Sequence, residues 1–307
     1  MPTHHIICLT IDTDPDGLSG KVTNRNATSF KGLEHLKSFP EQLSTNLKQS
    51  VPITWFIRID EQIQYFFGNQ LYLLEKYNAF WGKVNNAGHE LAWHPHLYKQ
   101  TGEEFHISNN AEENCQSILK TWENILKNGL SFKSFRNGEG WHVPETLNTI
   151  EKLGIEFDST AMPNIIKTNI IDWTGTPTQP YFPASTNIQL ERAERKLLEI
   201  PMSTWKIQAD YDKTPRFRYI NPAIHCGLFE RSITNLNIGS FNTNIYIWNF
   251  ISHPDEIMPE RKGDFLYSGS VESYINNMQF FISLIEKKGD TYEFSTIAEG
   301  GKKWLVK

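Results

Sequence analysis

Ile6-Ile7-Cys8-Leu9-Thr10-Ile11-Asp12-Thr13-Asp14-Pro15-Asp16-Gly17 reads as a buried strand that runs straight into an acidic turn. The apolar, β-branched half suits a strand covered on both faces. Side chains two apart on a strand share a side, so Asp12 and Asp14 converge at its C-terminal end. Asp, Pro and Gly are also ordinary turn residues, and by itself this segment is equally a bland turn. Its position favours chemistry, because parallel α/β folds gather their sites at strand C-terminal ends.

Working outward, residues 51–59 (VPITWFIRI) form a second apolar, β-branched and aromatic run. Between the two runs, Phe30, Leu33, Leu36, Phe39, Leu43 and Leu47 keep helical spacing, with Pro40 placed to kink or divide the helix. Residues 63–84 carry a continuous helical stripe that Gly88 closes before the strand-like HELAWH of 89–94. Asn109 or Asn110 can cap the next helix, whose stripe from Cys115 to Leu126 ends before Gly129. The strand LSFKSF follows, then a helix opened by Pro144 and ended by Gly154, then the strand IEFDS. Such alternation predicts a parallel sheet with helices outside, either doubly wound or closed as a barrel. From 162 to 222 seven prolines break the pattern, so only LLEIPM reads as a strand and the rest as elaborated loop. A strand IYIWNF, a helix about 274–285 and a short strand near YEFSTI complete the chain.

Composition excludes several classes. Of 307 residues, 39% are hydrophobic and 13% aromatic, enough for a sizeable core and too apolar for disorder. Net charge is -5 with no run of four or more Lys/Arg, which argues against nucleic acid or an anionic membrane as partner. No window approaches eighteen consecutive apolar residues, so no membrane span is expected. The sequence opens without a secretory signal pattern, and Cys8, Cys115 and Cys226 are odd in number and far apart; buried thiols and a cytoplasmic location are the expectation.

Three further strand ends carry chemistry. His94 and His96 fall on one side, and Pro95 holds His94 extended. Two imidazoles opposite two carboxylates match the donors of zinc or a similar divalent ion. His89, one residue after Gly88, is expected to pack or hydrogen-bond. Arg136 follows the strand ending at Phe135 and precedes Asn137-Gly138-Glu139-Gly140-Trp141; a guanidinium there can keep a neighbouring carboxylate ionised, or make only a surface ion pair. His253 ends the strand that begins with IYIWNF. Asp, His, Arg and His on four strand ends form a more specific constellation than any one of them.

In this order the residues resemble the NodB-like polysaccharide deacetylases of carbohydrate esterase family four. Thr10-Ile11-Asp12-Thr13-Asp14 resembles the family's opening acidic motif, and Gly88-His89-Glu90-Leu91 its lead-in to the metal histidines. Arg136, Leu153-Gly154 through Phe157-Asp158-Ser159, Glu199-Ile200-Pro201 and His253 are similar to its later motifs. The resemblance runs from about Cys8 to Ile297. It implies one domain over 1–307: a deformed (β/α) barrel of about seven parallel strands, with the loop region elaborated around 160–245. It also implies one divalent metal, zinc first, with cobalt, nickel or manganese as alternatives. Two departures stand out. The family's second metal histidine lies four residues after the first, where this chain has Tyr98; His96 can supply the ligand instead. Gly138 stands where the family's Arg-x-Pro has proline.

The implied reaction is hydrolytic removal of an N-acetyl or N-formyl group from an amino sugar or a sugar-containing intermediate. Asp14, His94 and His96 would hold the metal, Asp12 would take the water proton with Arg136 keeping it ionised, and His253 would protonate the leaving amine. Trp141, Trp173 and Trp205, with Tyr98, are the expected substrate-facing aromatics, since indole faces stack on sugar rings. Two rivals remain open: a metal-independent hydrolase of cyclic amides or related C–N bonds, which Tyr98 favours, and a catalytically silent glycan-binding protein. Oligomeric state is left open.

Overall fold

The structure is a computed structural model that describes residues 2–16, 29–236, 244–261 and 263–306. Gly17 of the opening motif and residues 237–243 of the expected loop region lie outside the described residues. Eight parallel strands form the main sheet: β1 (His4–Asp12), β2 (Ile53–Arg58), β3 (Glu90–His94), β4 (Ser134–Phe135), β5 (Phe157–Asp158), β6 (Leu198–Glu199), β7 (Ile245–Ser252) and β8 (Thr291–Phe294). Seven of them curl into a half-barrel in the order β6-β5-β4-β3-β2-β1-β7, while β8 pairs with the first half of β1. On one edge of β1, His4–Ile7 pair with β8 and Leu9–Asp12 with β2; the other edge pairs with β7 over its whole length. A strand hemmed in this way must be apolar on both faces, and β1 is buried from His5 onward.

The gap between β6 and β7 is bridged without a ladder. Ser203 N–H donates to the Asn249 carbonyl (2.9 Å), and the Asn249 amide donates to the Ile200 carbonyl (3.0 Å). The fold is thus a deformed (β/α) barrel, and the C-terminal ends of β1, β2, β3, β4 and β7 converge on one rim.

Helices follow their local signals with one correction. Pro40 sits in the first turn of Phe39–Leu47 and divides it from Lys31–His35, as its missing N–H requires. Asn110 caps Ala111–Lys127 by accepting from the Glu112 and Glu113 N–H groups. The continuous helix expected over 63–84 is three: Glu61–Phe67, Tyr72–Lys76 and Asn78–Asn86. Gly68 takes φ +82°, and the Asn69 side chain accepts from Leu71 N–H; together they stop the first helix although the apolar stripe continues across the break.

The proline-rich region is more structured than expected. It contains two hairpins, Ile166–Lys167 with Ile171–Asp172 and Thr204–Ile207 with Arg216–Tyr219, and the helix Cys226–Thr234. A third hairpin, Tyr98–Thr101 with Glu104–Ile107, and a last helix, Ile297–Leu305, were also not anticipated. Runs of two to four residues are too short to show a hydrophobic period. Among the described residues no helix is long and apolar enough to cross a membrane.

Candidate metal centre and active site

Three successive strands deliver charged pairs to the rim by the same device, two residues of alternation. β1 delivers Asp12 and Asp14, β2 delivers Arg58 and Asp60, and β3 delivers His94 and His96. They meet at a cavity of about 340 Å³ that Asp12, Asp14, His94, His96, Glu139 and His253 help to line.

His94 donates from Nδ1 to the Arg136 carbonyl (2.8 Å), which leaves the Nε2 lone pair facing the cavity. That atom lies 3.2 Å from His96 Nε2 and 3.7 Å from carboxylate oxygens of both Asp12 and Asp14. His96 Nε2 is 3.3 Å from Asp14. The His96 backbone N–H donates to Asp60 (2.9 Å), and its ring leans over Gly138, where an added Cβ would stand 2.1 Å from His96 Cδ2. The two departures in the sequence are therefore one event: a residue without a side chain at 138 makes room for an imidazole from 96. Asp14, His94 and His96 offer three donor atoms all within 4.8 Å of one another. Donors at about 2.0–2.2 Å from one ion stand roughly 3.3 Å apart, so these residues fit a divalent metal.

Electrostatics agree with that donor set. Burial penalises the Asp14 carboxylate, but His96, the Arg58 guanidinium and the histidine hydrogen bonds hold it well below the usual range. Burial and then the Arg58 charge push the His96 pKa down, favouring the neutral, ligating imidazole.

Arg136 is fully buried, and each of its donors is used. It reaches Asp12 (2.6 Å) and Thr10 (2.9 Å) from Nη1, Ser159 and Asn249 from Nη2, and the Ser159 carbonyl from Nε. It also stacks 4.0 Å above the Phe56 ring. The carboxylate of Asp12 is thereby fixed in one orientation, with its other oxygen toward His94. His253 stands across the cavity, its Nε2 3.7 Å from Asp14 and its Nδ1 3.1 Å from Glu256. Burial opposes the charge on His253, yet the carboxylates of Glu256, Asp12 and Asp14 outweigh it and raise the pKa to about 10. At neutral pH the imidazole carries a proton it can give.

Tyr98 and the tryptophans are placed differently. The Tyr98 hydroxyl donates to Glu139 (2.9 Å), which also holds Lys167 (3.0 Å), and its ring packs 5.2 Å from His96. Tyr98 thus stands behind the cavity-lining residues. Trp141 and Trp173 are not brought to this cavity. They line a separate cleft of about 300 Å³, with Trp173 Nε1 donating to the Gly140 carbonyl. Trp205, buried on the strand Thr204–Ile207, does not line this cavity but lines a smaller space of about 230 Å³ that adjoins it. His89 accepts from Ile53 N–H (2.9 Å) and serves the sheet.

The sequence reading missed four participants. Arg58 binds Asp14 and Asp60 and accepts no water-exposed role, being 1% exposed; Asp60 carries both Arg58 and the His96 N–H. Glu256 orients His253, and Glu139, at φ +59°, joins Tyr98 to Lys167. Arg58 and Asp60 had a signal: a charged pair two apart closing an otherwise apolar strand.

No family model matches the sequence, and no curated protein matches it. Solved structures do. The chain superposes on a "putative glycoside hydrolase/deacetylase" from Parabacteroides distasonis with TM-score 0.62, at 14% identity over 99% of this chain and 71% of that one. It superposes on a "putative polysaccharide deacetylase" from Mycobacterium smegmatis with TM-score 0.54, at 15% identity over 97% of this chain and 88% of that one. At such identities the likeness is one of fold, the NodB-type deformed barrel.

Proposed function

We propose that the protein is a metal-dependent hydrolase that removes an N-acetyl or N-formyl group from an amino sugar or a sugar-containing intermediate. The observation that carries this is the flanking of the Asp14–His94–His96 donors by an arginine-held carboxylate on one side and a carboxylate-held imidazole on the other. A divalent ion bound by those three residues would polarise the substrate carbonyl and acidify water. Zinc suits the mixed imidazole and carboxylate donors.

Asp12 accepts the proton of the attacking water, and Arg136, paired with it, keeps its carboxylate aimed. His253, protonated and oriented by Glu256, gives its proton to the leaving amine as the C–N bond breaks. Arg58 fixes Asp14 from behind. A carbohydrate substrate is supported by the likeness in fold to a polysaccharide deacetylase and a glycoside hydrolase/deacetylase. A cytoplasmic setting belongs to the same proposal, supported by three free cysteines; recovery of the native protein from a periplasmic or culture fraction would overturn it.

The test is elemental analysis of gently purified protein together with a panel of N-acetylated and N-formylated amino sugars, before and after chelation. One equivalent of divalent metal and amide hydrolysis lost on chelation are expected. Metal-loaded protein that cleaves no member of the panel would sink the proposal.

A further inference from the structure

A second space, of about 230 Å³, adjoins the catalytic cavity, and Met162, Lys167, Tyr219 and Tyr267 line both. The rest of its wall is chiefly apolar: Ile165, Trp205, Ile207, Phe217, Ile224 and Leu266. The polar ends of its two other lining residues are already engaged, Arg218 with Asp212 (2.8 Å) and Asn221 with Glu256 (2.7 Å). The wall comes from the Thr204–Ile207/Arg216–Tyr219 hairpin and the segment near 266, elaborations outside the parallel sheet. Phe217, 38% exposed, stands at the solvent side of this wall. Tyr211 and Phe265, 52% and 77% exposed, pack edge to face at 6.3 Å beside it, with the Arg218 guanidinium 5.8 Å from the Tyr211 ring.

Water gains little in such a pocket, and an apolar cavity of about 150 Å³ already accepts benzene. The methyl of an acetyl group would leave most of this one unfilled. An apolar recess that opens beside a catalytic cavity, with a partly exposed Phe217 in its wall, marks a binding surface more than a solvated one.

We infer that this recess binds a hydrocarbon group of the substrate, an alkyl chain of about six carbons or an aromatic ring attached within a few bonds of the scissile amide. The preferred substrate is then an amphipathic N-acylated sugar. This rests on the hydrolase reading above and names its substrate class more narrowly. Because the proposed acyl group is acetyl or formyl, the hydrocarbon sits on the aglycone side.

The experiment compares three amides on the metal-loaded enzyme: N-acetylglucosamine, N-hexanoylglucosamine and hexyl N-acetyl-β-glucosaminide. Each buried methylene is worth about three- to fourfold, so hexyl N-acetyl-β-glucosaminide should exceed the acetyl sugar in kcat/KM by at least about tenfold. A gain for N-hexanoylglucosamine alone would put the hydrocarbon on the acyl side and overturn the inference. Leu266→Trp, which fills the recess from half-buried Leu266, and Phe217→Ala, which opens its rim, should bring that ratio toward one; thermal melts establish that both variants fold. Hexyl β-glucoside, which has no amide, is titrated in parallel by calorimetry. Saturable binding that Leu266→Trp abolishes supports the recess even if no amide is cleaved, and in that case only the hydrolase reading fails. Equal turnover of all three amides overturns the inference. So does absence of hexyl β-glucoside binding, or binding unchanged in Leu266→Trp.

Discussion

Two buried ionic clusters lie at strand ends of the same half-barrel, and they resolve their charge in opposite ways. Beside the cavity, Asp12 is held by Arg136 and Asp14 by Arg58, so each aspartate has its own guanidinium. At the ends of β5 and β6, Asp158 and Glu199 face each other with His142 3.1 Å from Asp158 and, among the described residues, no arginine bonded to either. Burial, followed by the Asp158 charge and hydrogen bond, pushes the Glu199 pKa well above the usual carboxylate range, so Glu199 keeps its proton and shares it with Asp158. Two adjacent buried carboxyl groups can be neutralised by a cation or by a proton. With the second, the carboxylate that remains, Asp158, is fully buried and committed to the Ser159 N–H, the Thr160 hydroxyl and His142, whereas the first leaves carboxylates that line the cavity. Arg136, which also bonds Ser159 next to Asp158, is the side chain that separates the two clusters.

The sharpest way to break this contrast is Asp12→Asn, which keeps the shape and removes the base. Amide hydrolysis should fall by about 10²–10⁴-fold while metal content holds, and the melting temperature should drop because buried Arg136 loses its counter-charge; full activity in the metal-loaded variant removes Asp12 from the mechanism. Arg136→Met should come next in size. It leaves a buried carboxylate unpaired and should cost about 3–5 kcal/mol in denaturant unfolding, and a loss under 1 kcal/mol would show that the Arg136–Asp12 pair contributes little to the fold.

His96→Ala against Tyr98→Phe tests which residue completes the metal donors. The alanine variant should lose metal affinity by more than the roughly 10–100-fold that an outer-shell partner typically costs. The phenylalanine variant should retain stoichiometric metal, because the Tyr98 hydroxyl is spent on Glu139. Metal retained by the first and lost by the second reverses the assignment.

Smallest is Glu199→Gln. Glutamine can still donate to Asp158, so stability near neutral pH should change by less than about 1.5 kcal/mol. The pH course is more telling. A carboxyl whose folded pKa is raised contributes stability that is complete below its ordinary value near pH 4 and is lost as pH rises through the raised value. Wild type minus Glu199→Gln, followed by thermal melts from pH 4 upward, should therefore decline with pH. A flat or rising difference would mean that Glu199 is ionised in the folded protein.

Much of the rim was legible because its geometry is local. Asp12 with Asp14, and His94 with His96, share a side by strand alternation alone, whatever surrounds them. Asn110, Pro144 and Gly154 announced helix limits for equally local reasons, a side-chain acceptor, a missing N–H and a positive φ. Arg58 and Asp60 obeyed the same alternation yet passed as the tail of an apolar strand, since one basic residue in VPITWFIRI has no evident purpose until Asp14 is seen beside it.

What the sequence by itself determined was the order of strands and helices and which residues each strand end presents, because backbone period and capping act over a few residues. Tertiary structure decided which of those residues meet. Gly138 admits His96 through a contact between strand ends 42 residues apart in sequence, and the tryptophans turn to another cleft and to the recess beside the cavity. Those outcomes depend on packing between segments remote in the chain, where a side chain's direction is set by the neighbours that exclude it from one space and admit it to another.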